Sequence, residues 1–134
     1  MAYGLIHIHG IGPVHQTALS RHNVRNTDHL LHITSEPGRR RALSRDTGIP
    51  EAELRRWREF VRLLRVPGVG PVSAQLLAKT GIGTVEALAQ SNPVLLTSKL
   101  RAAARTEGLR APAASTVSSW VGEARTLVEG TAPW

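Results

Sequence analysis

Gly10-Ile11-Gly12-Pro13-Val14 returns almost unchanged as Gly68-Val69-Gly70-Pro71-Val72, and each copy stands between an apolar stretch and an amphipathic run. An offset of 58 pairs Ile6 with Leu64, Ile8 with Val66, Leu19 with Leu77, Arg21 with Lys79, Val24 with Ile82, Asp28 with Glu86 and Leu30 with Leu88. Apolar meets apolar, and charge meets charge of the same sign. Farther on the register moves to 63, matching Trp57 to Trp120, Arg62 to Arg125 and Leu64 to Leu127. An insertion of about five residues in one copy marks a loop between repeated units. The chain reads as an internal duplication, with a first unit over residues 1–65 and a second over residues 66–134.

Helical periodicity dominates both units. Only Leu5 to His9 alternates apolar with polar, a signal too short to compete, so the fold expected is all-α, two tandem units packed as one compact helical domain. The first unit should place helices from Val14 to His22, from a Thr27 N-cap through Ile33, from Pro37 to Gly48, and from Pro50 to Arg65. In the last of these Glu51 and Glu53 complement the N-terminal dipole, Leu54, Trp57, Val61 and Leu64 line one face, and Arg55, Arg56, Arg58 and Arg62 lie on the other. The second unit repeats the plan: Val72 to Thr80, Val85 to Gln90 capped by Thr84, Pro93 to Arg105 capped by Asn92, and Thr116 to Val128 capped by Ser115. Ala111 to Ala114 reads as a loose linker and Gly130 to Trp134 as a frayed tail. Trp57 and Trp120 hold equivalent places on apolar helix faces, which assigns them to the core.

The 134 residues carry a formal net charge of +7, and fifteen of the seventeen basic residues are arginine. Arginine grips phosphate and carboxylate bidentately, so an anionic partner is indicated. Residues 1–65 hold eleven arginines against six acids, a net of +5, and all six histidines, so this unit becomes more positive still below about pH 6.5. With no cysteine, disulfides and thiolate metal sites are excluded, and with no long apolar run or leader the expected place of action is the cytoplasm, away from membranes.

A Gly-x-Gly turn that opens a helix aims backbone N–H groups outward at the positive end of a dipole, and glycine lets a phosphate oxygen come close. The second turn in its frame, Leu63-Leu64-Arg65-Val66-Pro67-Gly68-Val69-Gly70-Pro71-Val72-Ser73-Ala74-Gln75-Leu76-Leu77, resembles the helix-hairpin-helix element of DNA repair enzymes, helicase accessory proteins and ligases. That resemblance implies paired turns that bind the DNA backbone without reading bases. The wider pattern, through Gly81-Ile82-Gly83-Thr84-Val85-Glu86-Ala87-Leu88-Ala89, then Asn92-Pro93 and Trp120, is similar to a small bacterial family known as domain of unknown function 4332, over nearly the whole chain. It implies the fold and carries no activity.

On this reading Gly10, Gly12, Gly68, Gly70 and Ser73 would meet phosphates. Arg39, Arg40, Arg41, Arg55, Arg56, Arg58 and Lys79 would supply charge, because Val14 and Val72 stand where such motifs often carry a cation. The aromatic residues are too few for base stacking, which favours duplex over single strands. Two other readings stay open. In one, His7, His9, His15, His22, His29 and His32, with Asp28, serve acid-base chemistry on a small ligand, as in a cyclase or isomerase. In the other the chain is a protein-interaction adaptor, its glycine turns merely reversing the chain and Arg39-Arg40-Arg41 a solvated face. No His-Glu-x-x-His, phosphate-loop lysine or nucleophile-elbow pattern occurs, so no metal, cofactor or hydrolase chemistry is assigned.

Overall fold

Proline at the first helical position, with a glycine or side-chain cap just before it, recurs along the chain and fixes where its helices begin. The structure, a computed structural model, describes residues 3–8 and 10–130. Among these residues the fold is all-α: a 3-10 turn at Leu5–His7, then α1 (Pro13–Arg21), α2 (Thr27–Thr34), α3 (Pro37–Thr47), α4 (Glu51–Leu64), α5 (Pro71–Lys79), α6 (Val85–Ala89), α7 (Pro93–Glu107) and α8 (Ala114–Glu129). No described helix is long and apolar enough to cross a membrane. Two units are distinguished by their internal contacts, Met1–Arg62 and Leu63–Trp134, with the division inside the last turn of α4.

In the first unit α2 packs on α3 and α1 on the 3-10 turn, around buried Leu5, Leu19, Leu30, Leu31, Leu43, Leu54 and Trp57. In the second, α8 packs against α6 and α7, and α7 against α5, around Leu77, Val85, Leu88, Leu100, Val117 and Trp120. Trp57 and Trp120 are core residues, as their helical register implies.

Four helix starts are closed by side chains. Asn26 accepts from the His29 amide, Glu36 from Gly38 and Arg39, Thr84 from Ala87, and Asn92 from Val94 and Leu95. Gly48 and Gly108 end α3 and α7 in the left-handed conformation.

The expected helices all form, with local corrections. The cap of α2 is Asn26, one residue before Thr27: its amide oxygen accepts from the third helical N–H at 2.9 Å, while the buried Thr27 hydroxyl accepts from the Tyr3 amide instead. Helix α8 begins at Ala114 on Ala113, with no side-chain cap, so Ser115 lies inside it and the last residue of the expected linker, Ala114, is its first. The segment expected to alternate turns as 3-10 at Leu5–His7, burying Leu5 and Ile8, and an isolated bridge pairs the preceding Gly4 with Asn26. Arg62 is buried rather than on the outer face of α4, and its guanidinium meets Glu59 at 2.9 Å. The tail beyond Gly130 lies outside the described residues.

Candidate functional site

The two glycine turns have the same local geometry. Gly10 and Gly68 sit at φ 95° and 88°, where a side chain is disfavoured. Gly12 and Gly70 then stand extended as N-caps of α1 and α5, at φ −95° and −97°. Neither helix has a side-chain cap, unlike α2, α3, α6 and α7. The first amides of a helix lack intrahelical acceptors, so these two starts keep donors at a positive dipole end. A Cβ built on Gly12 or Gly70 would meet nothing within 4 Å, which leaves the approach to those donors open. Val14 and Val72, at the expected cation positions, are 80% and 53% exposed.

What stands beside each turn differs. At the first, a side chain on Gly10 would meet the Arg56 guanidinium at 2.8 Å, so Gly10 and Arg56 are neighbours. Arg56 is itself paired with Glu53. At the second, Gly68 and Ser73 line a cavity of about 540 Å³ with Val72, Leu76, Arg101, Arg110, Pro112 and Thr116, and Trp120 forms part of its wall. The Trp120 indole Nε1 is buried without a hydrogen-bond partner and faces Gly68.

Most of the arginines expected to meet phosphate are engaged with their own chain. Arg40 donates to Glu51 and to the Thr34 carbonyl, both at 3.0 Å, and its side chain is 14% exposed. Arg55 also pairs with Glu51, and Arg58 pairs with Glu59 and reaches Ser35. The Arg55 and Arg58 pairs follow from glutamates placed a helical turn, or one residue, away on α4, although the Arg55 side chain stays 60% exposed. The Arg40 bond keeps the Glu51 carboxyl below its ordinary range, with Arg55 assisting. Glu36 is held low by the Gly38 and Arg39 amides it caps. Lys79 is tied to Glu107 at 2.6 Å. Arg41 is exposed on α3.

The cations that do border a glycine turn in the second unit, Arg101 and Arg110, escaped the sequence reading. Their signal was indirect: Arg110 stands just before the Ala111 to Ala114 stretch expected as a loose linker, and Arg101 lies four residues before Arg105 on the amphipathic α7.

The histidines separate into groups. His22, His29 and His32 line a second cavity, about 330 Å³, with Asn23, Val24, Asp28, Ile33 and Arg39. His29 Nδ1 accepts a long 3.4 Å bond from the Arg25 amide, and His32 Nε2 lies 3.3 Å from Arg39 Nη1. His15 packs on Trp57, ring centroids 5.3 Å apart, and His7 meets Tyr3 edge-on at 5.9 Å, so neither joins that cavity. His9 lies outside the described residues. Among the described residues no group of three His, Cys, Asp or Glu side chains is arranged to hold a metal.

A family model described as Domain of unknown function (DUF4332) matches residues 9–127. Neither curated proteins nor solved structures give a match.

Proposed function

The chain belongs to that family of unknown function, and from this premise we propose that it binds nucleic-acid backbone, duplex DNA foremost, non-catalytically and without sequence preference. On this reading it is a tandem helix-hairpin-helix protein of the bacterial cytoplasm, each glycine turn receiving a phosphate. The observation that carries the reading is the shared uncapped helix start behind a left-handed glycine, with arginine beside it in both units: Arg56 at Gly10, and Arg101 and Arg110 at the Gly68 turn. Backbone amides position a phosphate and guanidiniums hold its charge, and neither reads a base.

The test is duplex binding by fluorescence anisotropy for the wild-type chain and for Arg101→Gln combined with Arg110→Gln. Loss of affinity in the double variant supports the site. Unchanged affinity removes the second turn from the interface.

A second reading is favoured by one observation, the gathering of His22, His29, His32, Asp28 and Arg39 around one cavity. Imidazoles beside a carboxylate and a guanidinium are the equipment for binding a small anion or for acid-base chemistry on it. Titration of the chain with small carboxylates and phosphates, followed by the imidazole NMR signals, decides whether that cavity is used.

A further inference from the structure

We infer that the cavity beside the second glycine turn is a receptor for a phosphomonoester: the dianionic phosphate of a nucleotide, free or at a nucleic-acid end. The inference rests on the phosphate-binding reading above and makes its second site specific.

Charge comes first. Arg101 and Arg110 both line the cavity, and no acidic side chain is among its described lining residues. An internal phosphodiester carries one negative charge, whereas a phosphomonoester carries about 1.5 to 2 near neutral pH. Two guanidiniums match the second.

Donor geometry points the same way. The nine-residue α5 opens on this cavity without a side-chain cap, and Ser73 in its first turn adds a hydroxyl. Helix α8 also begins here uncapped, from Ala113, with Thr116 in its first turn. Two positive dipole ends thus border one space.

Independent of these is the indole of Trp120. The residue is 3% exposed, its N–H has no partner, and it forms part of the wall of this cavity against Gly68. A buried donor without an acceptor carries a desolvation cost that an anionic oxygen relieves.

Shape distinguishes the ligand class. A volume of about 540 Å³ lies within the range of small-molecule sites, roughly 300–1,000 Å³. A duplex backbone offers a single phosphate on a convex rod and would leave most of that space empty. Val72, Leu76 and Pro112 give the cavity an apolar side suited to a sugar or base. At the first turn, by contrast, the space over Gly10 holds the Arg56 guanidinium.

The test compares one blunt duplex with 5′-phosphate and with 5′-hydroxyl ends, and uses adenosine 5′-monophosphate and adenosine as competitors, all with the full chain. The phosphorylated duplex is expected to bind roughly tenfold tighter. The monophosphate, and not the nucleoside, should compete. Arg101→Gln with Arg110→Gln should abolish the preference, and Trp120→Phe, which keeps a ring and removes the N–H, should reduce it.

Equal binding of both duplexes with no competition by the monophosphate overturns the inference and leaves backbone binding standing. Monophosphate binding that needs the two arginines, without duplex binding, upholds the inference, names a free organic phosphate as the source and removes the backbone reading. Binding of neither overturns both.

Discussion

The indole nitrogen of Trp120 lies 3.1 Å from the point where a side chain on Gly68 would begin. Gly68 is thus required twice, for its φ of 88° and for its contact with a buried ring. Gly81 has a similar φ of 91° with nothing within 4 Å of its missing side chain. Each substitution to alanine carries a left-handed backbone cost of about 1–2 kcal/mol. Gly68→Ala should exceed Gly81→Ala by roughly 1–3 kcal/mol, the usual penalty of overpacking. Urea unfolding of the two variants measures the difference, and equal losses would contradict the packing argument.

Arg40 and Arg41 are neighbours in sequence with different roles. Arg40 ties α3 to α4 through Glu51 and closes the end of α2 through the Thr34 carbonyl. Arg40→Gln should lower the unfolding midpoint clearly, while Arg41→Gln, at an exposed site, should change stability by no more than about 0.5 kcal/mol. If both variants unfold like the wild type, the Arg40 bonds contribute nothing.

Acid should act through Glu51 and Glu36. The Glu51 carboxyl is held below its ordinary 4.5 chiefly by the Arg40 hydrogen bond, and Glu36 below the same value chiefly by the Gly38 amide. Because both folded values are depressed, their stabilisation is fully present above pH 4.5 and is lost as pH falls through the lower folded values. The stability gap between wild type and Glu51→Gln should therefore stay constant from neutral pH down to about 5 and shrink below 4.5. A gap that widens on acidification would reverse the sign and exclude this linkage.

The histidine cavity makes a prediction about protons. A guanidinium only donates, so His32 Nε2 must accept from Arg39 and its proton sits on Nδ1. His29 Nδ1 accepts from the Arg25 amide, which leaves its proton on Nε2. Long-range nitrogen-proton NMR spectra at mildly alkaline pH should show opposite tautomers for the two rings. The same tautomer in both would show that one of these bonds does not persist.

Much of the fold was legible because its signals are local. Pro37, Pro93, Thr84 and Asn92 announce helix starts through backbone chemistry that needs no tertiary partner, and the helices form there. Trp57 and Trp120 betrayed their burial through position in an amphipathic repeat. The failures lie where the decision is tertiary. Arg62 sits on the periodicity of an outer face yet is buried beside Glu59, and Ala113 caps α8 with no residue type to advertise it.

The candidate site was legible in its glycines and in Arg56 beside Gly10, and not in the cations of the second turn. Gly10, Gly12, Gly68 and Gly70 take up the paired geometry that their repetition implies. Which arginines border those turns depends on chain packing: Arg40, Arg55 and Arg58 are occupied by Glu51 and Glu59, whereas Arg101 and Arg110, from distant segments, line the cavity at Gly68. Nothing in a linear charge count separates the two groups.

Backbone binding is electrostatic, so its response to salt is the decisive measurement. A duplex titration by anisotropy between roughly 50 and 200 mM salt should give micromolar affinity at the low end and a steep linear fall of log affinity with log salt. Each phosphate contact contributes about 0.9 to that slope, so Arg101→Gln with Arg110→Gln, which empties one turn, should flatten it by about 1. No binding at the lowest salt, or a slope untouched by removing both arginines, would contradict the account.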